Sequence, residues 1–127
     1  MWRFPGAKSF LHRATGDLDR ASARFEAAYD ASIGTTYLHR LAQMRGNALR
    51  GLACVALDRG DPEECARLSG AASVSYQPGF YDSRLAWHEH RDAVQRTRQS
   101  LGDSAFEAAF AAGRGGGLAY YDVVRGR

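Results

Sequence analysis

The sequence is poor in cysteine, proline and lysine. Its 127 residues include two cysteines, Cys54 and Cys65, and three prolines, and Lys8 is the single lysine among 17 basic residues. Two cysteines are too few to staple a small secreted scaffold, and their spacing matches no CxxC redox or zinc motif. We therefore expect both cysteines to be buried small residues.

Long apolar runs are missing as well. The longest stretch without charge or strong polarity is Gly51 to Leu57, whereas a membrane-spanning helix needs about 20 residues. The first twelve residues contain charge and a proline where a secretory signal has an unbroken apolar segment. These absences predict one soluble domain with a single core, located in the cytoplasm.

Charge of one sign is not concentrated in blocks. The 17 basic and 14 acidic residues give a net charge of +3, and the two signs alternate along most of the chain. The nearest approach to a basic groove surrounds Trp87 and consists of Arg84, Arg91, Arg96 and Arg98. Because Glu89 and Asp92 lie among these arginines, the sequence gives little support to direct nucleic-acid binding.

A Gly-Asp pair recurs at near-equal intervals, as Gly16-Asp17, Gly60-Asp61 and Gly102-Asp103. Glycine readily takes the left-handed conformation that ends a helix, and aspartate accepts hydrogen bonds from the first free amides of the next helix. The second pair is followed by Pro62, which suits the first helical position, and by Glu64, which can close a capping box. Each pair therefore predicts a tight turn between two helices.

Apolar residues between these turns recur at steps of three and four, which is typical of amphipathic helices. One such segment begins near Thr35 or Thr36, runs through Ala56 and is about 20 residues long. Its two glycines, Gly46 and Gly51, are best explained by a neighbouring helix that packs closely. No strand pattern or hairpin turn is convincing, so the predicted fold class is all-α with about six helices.

Parts of the sequence resemble the tetratricopeptide repeat (TPR). Ala21-x3-Phe25 with Ala28 matches the second helix of the first repeat unit, and the first helix of that unit is incomplete. Leu49-x2-Leu52-Ala53-x2-Ala56 and Cys65-x3-Ser69-x2-Ala72 match the two helices of the next unit, at a spacing longer than the common period. The resemblance implies a right-handed stack of antiparallel helical hairpins, a TPR-like α-solenoid, over residues 1–113.

A second resemblance covers about residues 16 to 113. The phrases GLACVALDRGDPEECARLSGAAS and RTRQSLGDSAFEAAFAAG are similar to the C-terminal repeat region of bacterial LuxR-type transcriptional regulators and related signal-transduction ATPases. This resemblance implies an arm that senses or scaffolds. The chain has no phosphate-binding GxxxxGK[ST] loop, and no DNA-reading helix-turn-helix is recognisable after Gly113. We read it either as an excised arm or as a short stand-alone relative.

Candidate catalytic and metal-binding residues have simpler structural explanations. His88 and His90 are two positions apart, so on a helix they point in different directions; we expect His90 to make one hydrogen bond within the apolar stripe and His88 to lie on a polar face. Glu63 and Glu64 are explained as helix-dipole and cap partners. No serine or cysteine lies in a known nucleophile context, so we expect neither enzyme chemistry nor a metal or cofactor.

The glycine run after Gly113 predicts a flexible C-terminal tail over residues 114–127, in which Leu118 to Val124 could form one apolar turn or a short strand. A phosphate cradle is the alternative reading of this run, if it joined a strand to a helix.

The predicted function is binding. A protein or peptide segment would lie on the concave face of the stack, and the candidate contact residues are Tyr37, Arg40, Gln43, Met44 and Asn47. A small effector bound in the same region, which would shift a regulator between two states, is the open alternative. Because an incomplete repeat exposes an apolar end, we also expect self-association through the N-terminal helices.

Overall fold

The computed structural model describes residues 13, 16–31, 38–74 and 84–126, with the backbone alone for residues 38–43 and 84–87. Every regular element in these ranges is helical, which confirms the all-α class. The elements are α1 (Leu18–Ala31), α2 (Leu38–Asp58), α3 (Pro62–Ser73), α4 (Arg84–Leu101), α5 (Asp103–Gly116), a 3₁₀ turn (Gly117–Ala119) and the short α6 (Tyr120–Val124).

None of the helices in the described ranges combines the length and the apolar character that crossing a membrane requires.

The glycines of the three Gly-Asp pairs all have positive φ angles, in the region that favours glycine. Gly16, Gly60 and Gly102 have φ angles of +84°, +85° and +83°. Gly102, with a ψ angle of 158°, is extended rather than left-handed helical. The first two aspartates cap as predicted: Asp17 Oδ1 accepts a hydrogen bond from the Arg20 amide at 3.3 Å, and Asp61 Oδ1 accepts one from the Glu64 amide at 3.1 Å.

Two details of these turns differ from the prediction. At the third pair Gly102 is itself the N-cap and Asp103 is the first helical residue, so its carboxylate pairs with Arg98 at 3.2 Å instead of capping the helix. At the second pair the Asp61 amide donates to the Ala56 carbonyl at 2.9 Å. That amide is therefore satisfied by the end of α2, and Glu64 does not close the predicted capping box.

The core is built around α2, which packs against α1, α3 and α4. Its buried face combines the small residues Ala48, Ala53 and Cys54 with the larger Leu49, Leu52 and Val55. A Cβ atom at Gly51 would overlap the ring of Phe25, which is fully buried on α1. This overlap confirms that close packing explains the glycine. Cys54 and Cys65 are buried free thiols, also as predicted.

Helix α5 packs mainly on α3, and much less on α4, the helix that precedes it. The crossing brings the two backbones together at Gly70 and Gly113. A Cβ atom at Gly70 would overlap the Phe110 carbonyl oxygen, and one at Gly113 would overlap the Arg67 carbonyl oxygen. Glycine is therefore required at this crossing, because no side chain fits between the helices.

The C-terminal residues differ from the predicted flexible tail. Helix α5 continues through Gly116, and the 3₁₀ turn and α6 follow without a break. The chain reverses at Gly117, whose φ angle is +61°. Residues 117–126, here called the C-terminal segment, then return along α3 and α1. Contacts distant in sequence hold this segment, which local glycine content does not reveal.

Candidate binding groove

Tyrosine hydroxyl groups attach the C-terminal segment to the helices beneath it. The Tyr29 hydroxyl on α1 donates to the Leu118 carbonyl oxygen at 2.8 Å. The ring of Tyr29 meets the ring of Tyr121 edge-on, with centroids 5.2 Å apart, and the Tyr121 hydroxyl donates to Glu26. Burial is the main cause that raises the pKa of Tyr29, to about 12, so its hydroxyl remains a hydrogen-bond donor at neutral pH.

Arg125 closes the same contact from the end of the segment. Its guanidinium lies over the rings of Tyr29 and Tyr121, at 5.1 and 4.4 Å from their centroids. One of its nitrogens, Nη2, is 3.0 Å from a carboxylate oxygen of Asp30 and 3.0 Å from one of Asp122. Combined stacking and charge-assisted hydrogen bonding is geometry that arginine supports and lysine does not.

Tyr120 makes the attachment to α3. Its hydroxyl donates to the two carboxylate oxygens of Glu64 at 3.0 and 3.1 Å. Burial raises the pKa of Glu64, an effect that the Tyr120 hydrogen bond and the charge of Arg67 oppose. The sequence assigned Glu64 to the helix cap, so its role in holding the C-terminal segment was missed. Glu63, its neighbour, forms an ion pair with Arg67.

An open groove of about 510 Å³ lies beside α6. Its apolar lining comes from α2, α3 and α6, and polar groups from α1 and from the turn between α2 and α3 complete it. The lining residues are Ser22, Leu52, Val55, Ala56, Arg59, Asp61, Glu64, Leu68, Tyr121 and Val124. Val124 is 52% exposed and Val123, next to it, is 73% exposed. The groove thus combines an apolar lining with charged groups of both signs, an arrangement that suits an amphipathic ligand.

Of the predicted contact residues, the two whose side chains the structure describes, Met44 and Asn47, do not line this groove. Tyr37 lies outside the described residues, as do the side chains of Arg40 and Gln43. Met44 is half-buried. Asn47 is 8% exposed and accepts a hydrogen bond from Arg50 at 3.1 Å.

Asn47 therefore belongs to the packing between α2 and α3. Arg50, its partner, also donates to the Ala72 carbonyl on α3 at 3.2 Å. Periodicity placed Asn47 on an open face because it cannot show that a buried arginine reaches across to the next helix.

The two histidines of α4 separate as predicted. His88 is exposed, whereas His90 Nε2 lies 3.0 Å from the Ser69 hydroxyl on α3. Burial, with a smaller contribution from the charge of Arg50, lowers the pKa of His90 to about 3. His90 is therefore neutral at ordinary pH and serves the packing of α3 against α4. In the described part of the chain no three His, Cys, Asp or Glu side chains are grouped as metal ligands would be.

A second cavity, of about 380 Å³, lies where Arg13 meets Asp58 and Glu89. Arg13 forms ion pairs with both carboxylates and so joins the N-terminal region to the end of α2 and to α4. The guanidinium fills the position between the two acids, which makes this cluster a structural tie.

Two of the arginines of α4 that suggested a basic groove, Arg96 and Arg98, have acidic neighbours. Arg98 pairs with Asp103 at 3.2 Å and with Glu107 at 2.9 Å, and its guanidinium lies 4.3 Å from the centroid of the Phe106 ring. Arg96 lies 3.8 Å from Asp92. These pairs reduce the positive field along the helix, in agreement with the alternating charges of the sequence.

One local pattern in the sequence indicates the C-terminal segment. Two adjacent aromatic residues, Tyr120 and Tyr121, follow the glycine run, and Arg125 lies four positions after the second. On a helix that spacing puts Tyr121 and Arg125 on one face. Such a face predicts a docked segment, although it does not show where the segment docks.

Comparison of the chain with profiles of known protein families, with curated proteins and with solved structures finds no match.

Proposed function

We propose that this chain is a non-catalytic binding module whose groove beside α6 holds a segment of another protein. The single observation that carries the proposal is the groove itself, whose apolar base is formed by Leu52, Val55 and Leu68 beside the charged groups of Arg59 and Glu64. Interfaces of this kind take an apolar anchor at the centre and fix its orientation with polar groups at the rim.

The resemblance to LuxR-type regulators supports a more specific form of the proposal. In that form the helices are a TPR-like stack of hairpins that acts as the sensing or scaffolding arm of a bacterial transcriptional regulator. The successive packing of α1 on α2 and of α2 on α3 is what such a stack requires. The groove would then be where the arm meets its partner.

A matched pair of substitutions tests the binding role. Val124 lines the groove, whereas Val123 is exposed beside it and does not. We expect the wild-type chain and Val123→Arg to capture the same partner from a lysate of the native host, and Val124→Arg to lose it. Equal capture by the two variants, or no partner specific to the wild-type chain, would overturn the proposal.

A small-molecule effector is the second candidate, and the volume of the groove favours it. About 510 Å³ lies within the range typical of small-ligand sites, roughly 300–1,000 Å³. A metabolite at about 100 times its Kd would stabilise the fold by roughly 2.7 kcal/mol. A thermal-shift screen on the wild-type chain, repeated on Val124→Arg, identifies such a ligand as one whose shift disappears in the variant.

A further inference from the structure

The C-terminal segment is bound as a short helical peptide is bound by a recognition domain. Its helix, α6, has five residues, and isolated helices of that length are not stable in water. The segment keeps its shape because residues 26 to 30 of α1 and Glu64 of α3 hold its side chains. Those contacts are directional hydrogen bonds, ion pairs and ring contacts as well as apolar burial.

Two side chains of the segment carry most of these contacts, and they are four residues apart. Tyr121 meets the Tyr29 ring and Glu26, and Arg125 lies over both tyrosine rings and pairs with Asp30. The surface of α1 that meets this segment therefore contacts an aromatic hydroxyl and a guanidinium that lie one helical turn apart on the same face. This surface, Glu26, Tyr29 and Asp30 of α1, is here called the α1 receptor face.

The segment is joined to the rest of the chain by glycines. A Cβ atom at Gly115 would meet open space, and Gly117, where the chain reverses, has a φ angle of +61°. Because this connection lies within one chain, it holds the segment beside the α1 receptor face at a high effective concentration, and an external ligand has to compete with it. The occupant of the α1 receptor face is thus a ligand that the chain itself supplies.

We propose that the α1 receptor face is a recognition site for helical peptide segments with the pattern Tyr-x-x-x-Arg, and that the chain's own C-terminal segment is its resident, competing ligand. This inference rests on the proposed binding function and names the class of partner: a segment with an aromatic hydroxyl and an arginine one turn later. Release of the resident segment would also widen the adjoining groove, because Tyr121 and Val124 form part of its lining.

The test uses the full chain with its own ligand weakened. In the Arg125→Ala chain the α1 receptor face is intact, but the resident segment has lost its guanidinium. The probe is a fluorescein-labelled synthetic peptide of residues 114–127, followed by fluorescence anisotropy. We expect it to bind the Arg125→Ala chain at least about tenfold more tightly than the wild-type chain, because the resident segment competes less. Circular dichroism confirms that the variant is folded, and Tyr120→Phe serves as a second weakened chain if it is not.

Two matched controls identify the site. A peptide carrying Arg125→Ala should bind at least about tenfold more weakly than the unmodified peptide, because it lacks the guanidinium that stacks on the tyrosine rings and pairs with Asp30. Adding Asp30→Asn to the weakened chain should reduce binding similarly. Asp19→Asn, on the same helix, should not, because the Asp19 side chain is 98% exposed and pairs with Arg59.

The inference is overturned if the peptide binds neither weakened chain. It is also overturned if the affinity is unchanged both by Arg125→Ala in the peptide and by Asp30→Asn in the chain. Equal affinity for the wild-type and weakened chains also overturns it, because the resident segment would then not compete. Size-exclusion chromatography shows whether the peptide is bound only by dimers in which two chains exchange their C-terminal segments. That result would assign the α1 receptor face to a second copy of the chain and would also overturn the inference. In each case Val124-dependent capture from the lysate would leave the proposed function standing.

Discussion

Acidification should destabilise this protein through His90, a half-buried histidine between α3 and α4. His90 has a folded-state pKa of about 3, whereas histidine in an unfolded chain has a pKa of about 6.5. Between these values the unfolded state binds a proton that the folded state does not. The free energy of unfolding is therefore fully maintained above about pH 6.5, and it decreases as the pH falls towards about 3.

The size of the effect follows from this difference. Each pH unit below the unfolded pKa removes up to about 1.4 kcal/mol, so lowering the pH from about 7 to about 5 should remove roughly 2 kcal/mol. The groups that His90 meets do not oppose this loss: Ser69 offers a neutral hydroxyl at 3.0 Å, and the positive charge of Arg50 disfavours a second cation. Such a loss is a large fraction of the usual stability of a small domain, about 5–15 kcal/mol.

Denaturant melts at the two pH values, at constant ionic strength, measure the effect. The variant is His90→Gln, whose amide can reach Ser69 but does not titrate, and the matched control is His88→Gln on the exposed face of the same helix. We expect the wild-type chain and His88→Gln to lose roughly 2 kcal/mol on acidification, and His90→Gln to lose clearly less. If all three chains lose the same amount, the assignment of a neutral histidine to the α3–α4 interface is refuted.

Three further predictions concern the turns, the helix crossing and self-association. Gly60→Val should cost about 1–2 kcal/mol, because valine resists the left-handed conformation, and Asp61→Ala should cost about 1 kcal/mol through loss of the cap; unchanged denaturant midpoints for both would contradict the turn assignment. Gly113→Ala should lower the unfolding midpoint strongly, because its Cβ overlaps the Arg67 carbonyl, whereas Gly115→Ala, which meets open space, should not; equal midpoints would count against the crossing. Light scattering should show a dimer or larger assembly formed through the N-terminal helices, and a monomer at every accessible concentration would argue against this prediction.

Local signals in the sequence predicted the helices and turns well. The positive φ angles of the turn glycines, the caps at Asp17 and Asp61, and a long helix α2 of 21 residues are as expected. The separation of His88 from His90 also follows from helix geometry alone. These features depend on residues within a few positions of one another, and periodicity and cap chemistry act over that range.

The groove and the C-terminal segment could not be predicted in the same way. Tyr29 and Leu118 are separated by 89 positions, and Tyr121 and Glu26 by 95, so no local pattern joins them. The glycine run also gave a misleading signal. Glycine usually indicates a flexible end, but Gly113 is required by a helix crossing and Gly117 by a reversal of the chain. The chemical pattern was present in the sequence, and its tertiary partners were not identifiable from it.

The glycine crossing of α3 and α5 fixes the register of the two helices. If α5 slid along its axis by one residue, a side chain from a neighbouring position would replace the hydrogen of Gly113 against the Arg67 carbonyl, and the helices would be forced apart. The crossing therefore permits one alignment of α3 and α5. Since the chain reverses at Gly117, four residues after Gly113, the crossing also determines the position of α6 and hence the width of the groove beside Val124. The position of α6, and with it the shape of the groove, therefore depends on Gly70 and Gly113 having hydrogen where other residues have a Cβ atom.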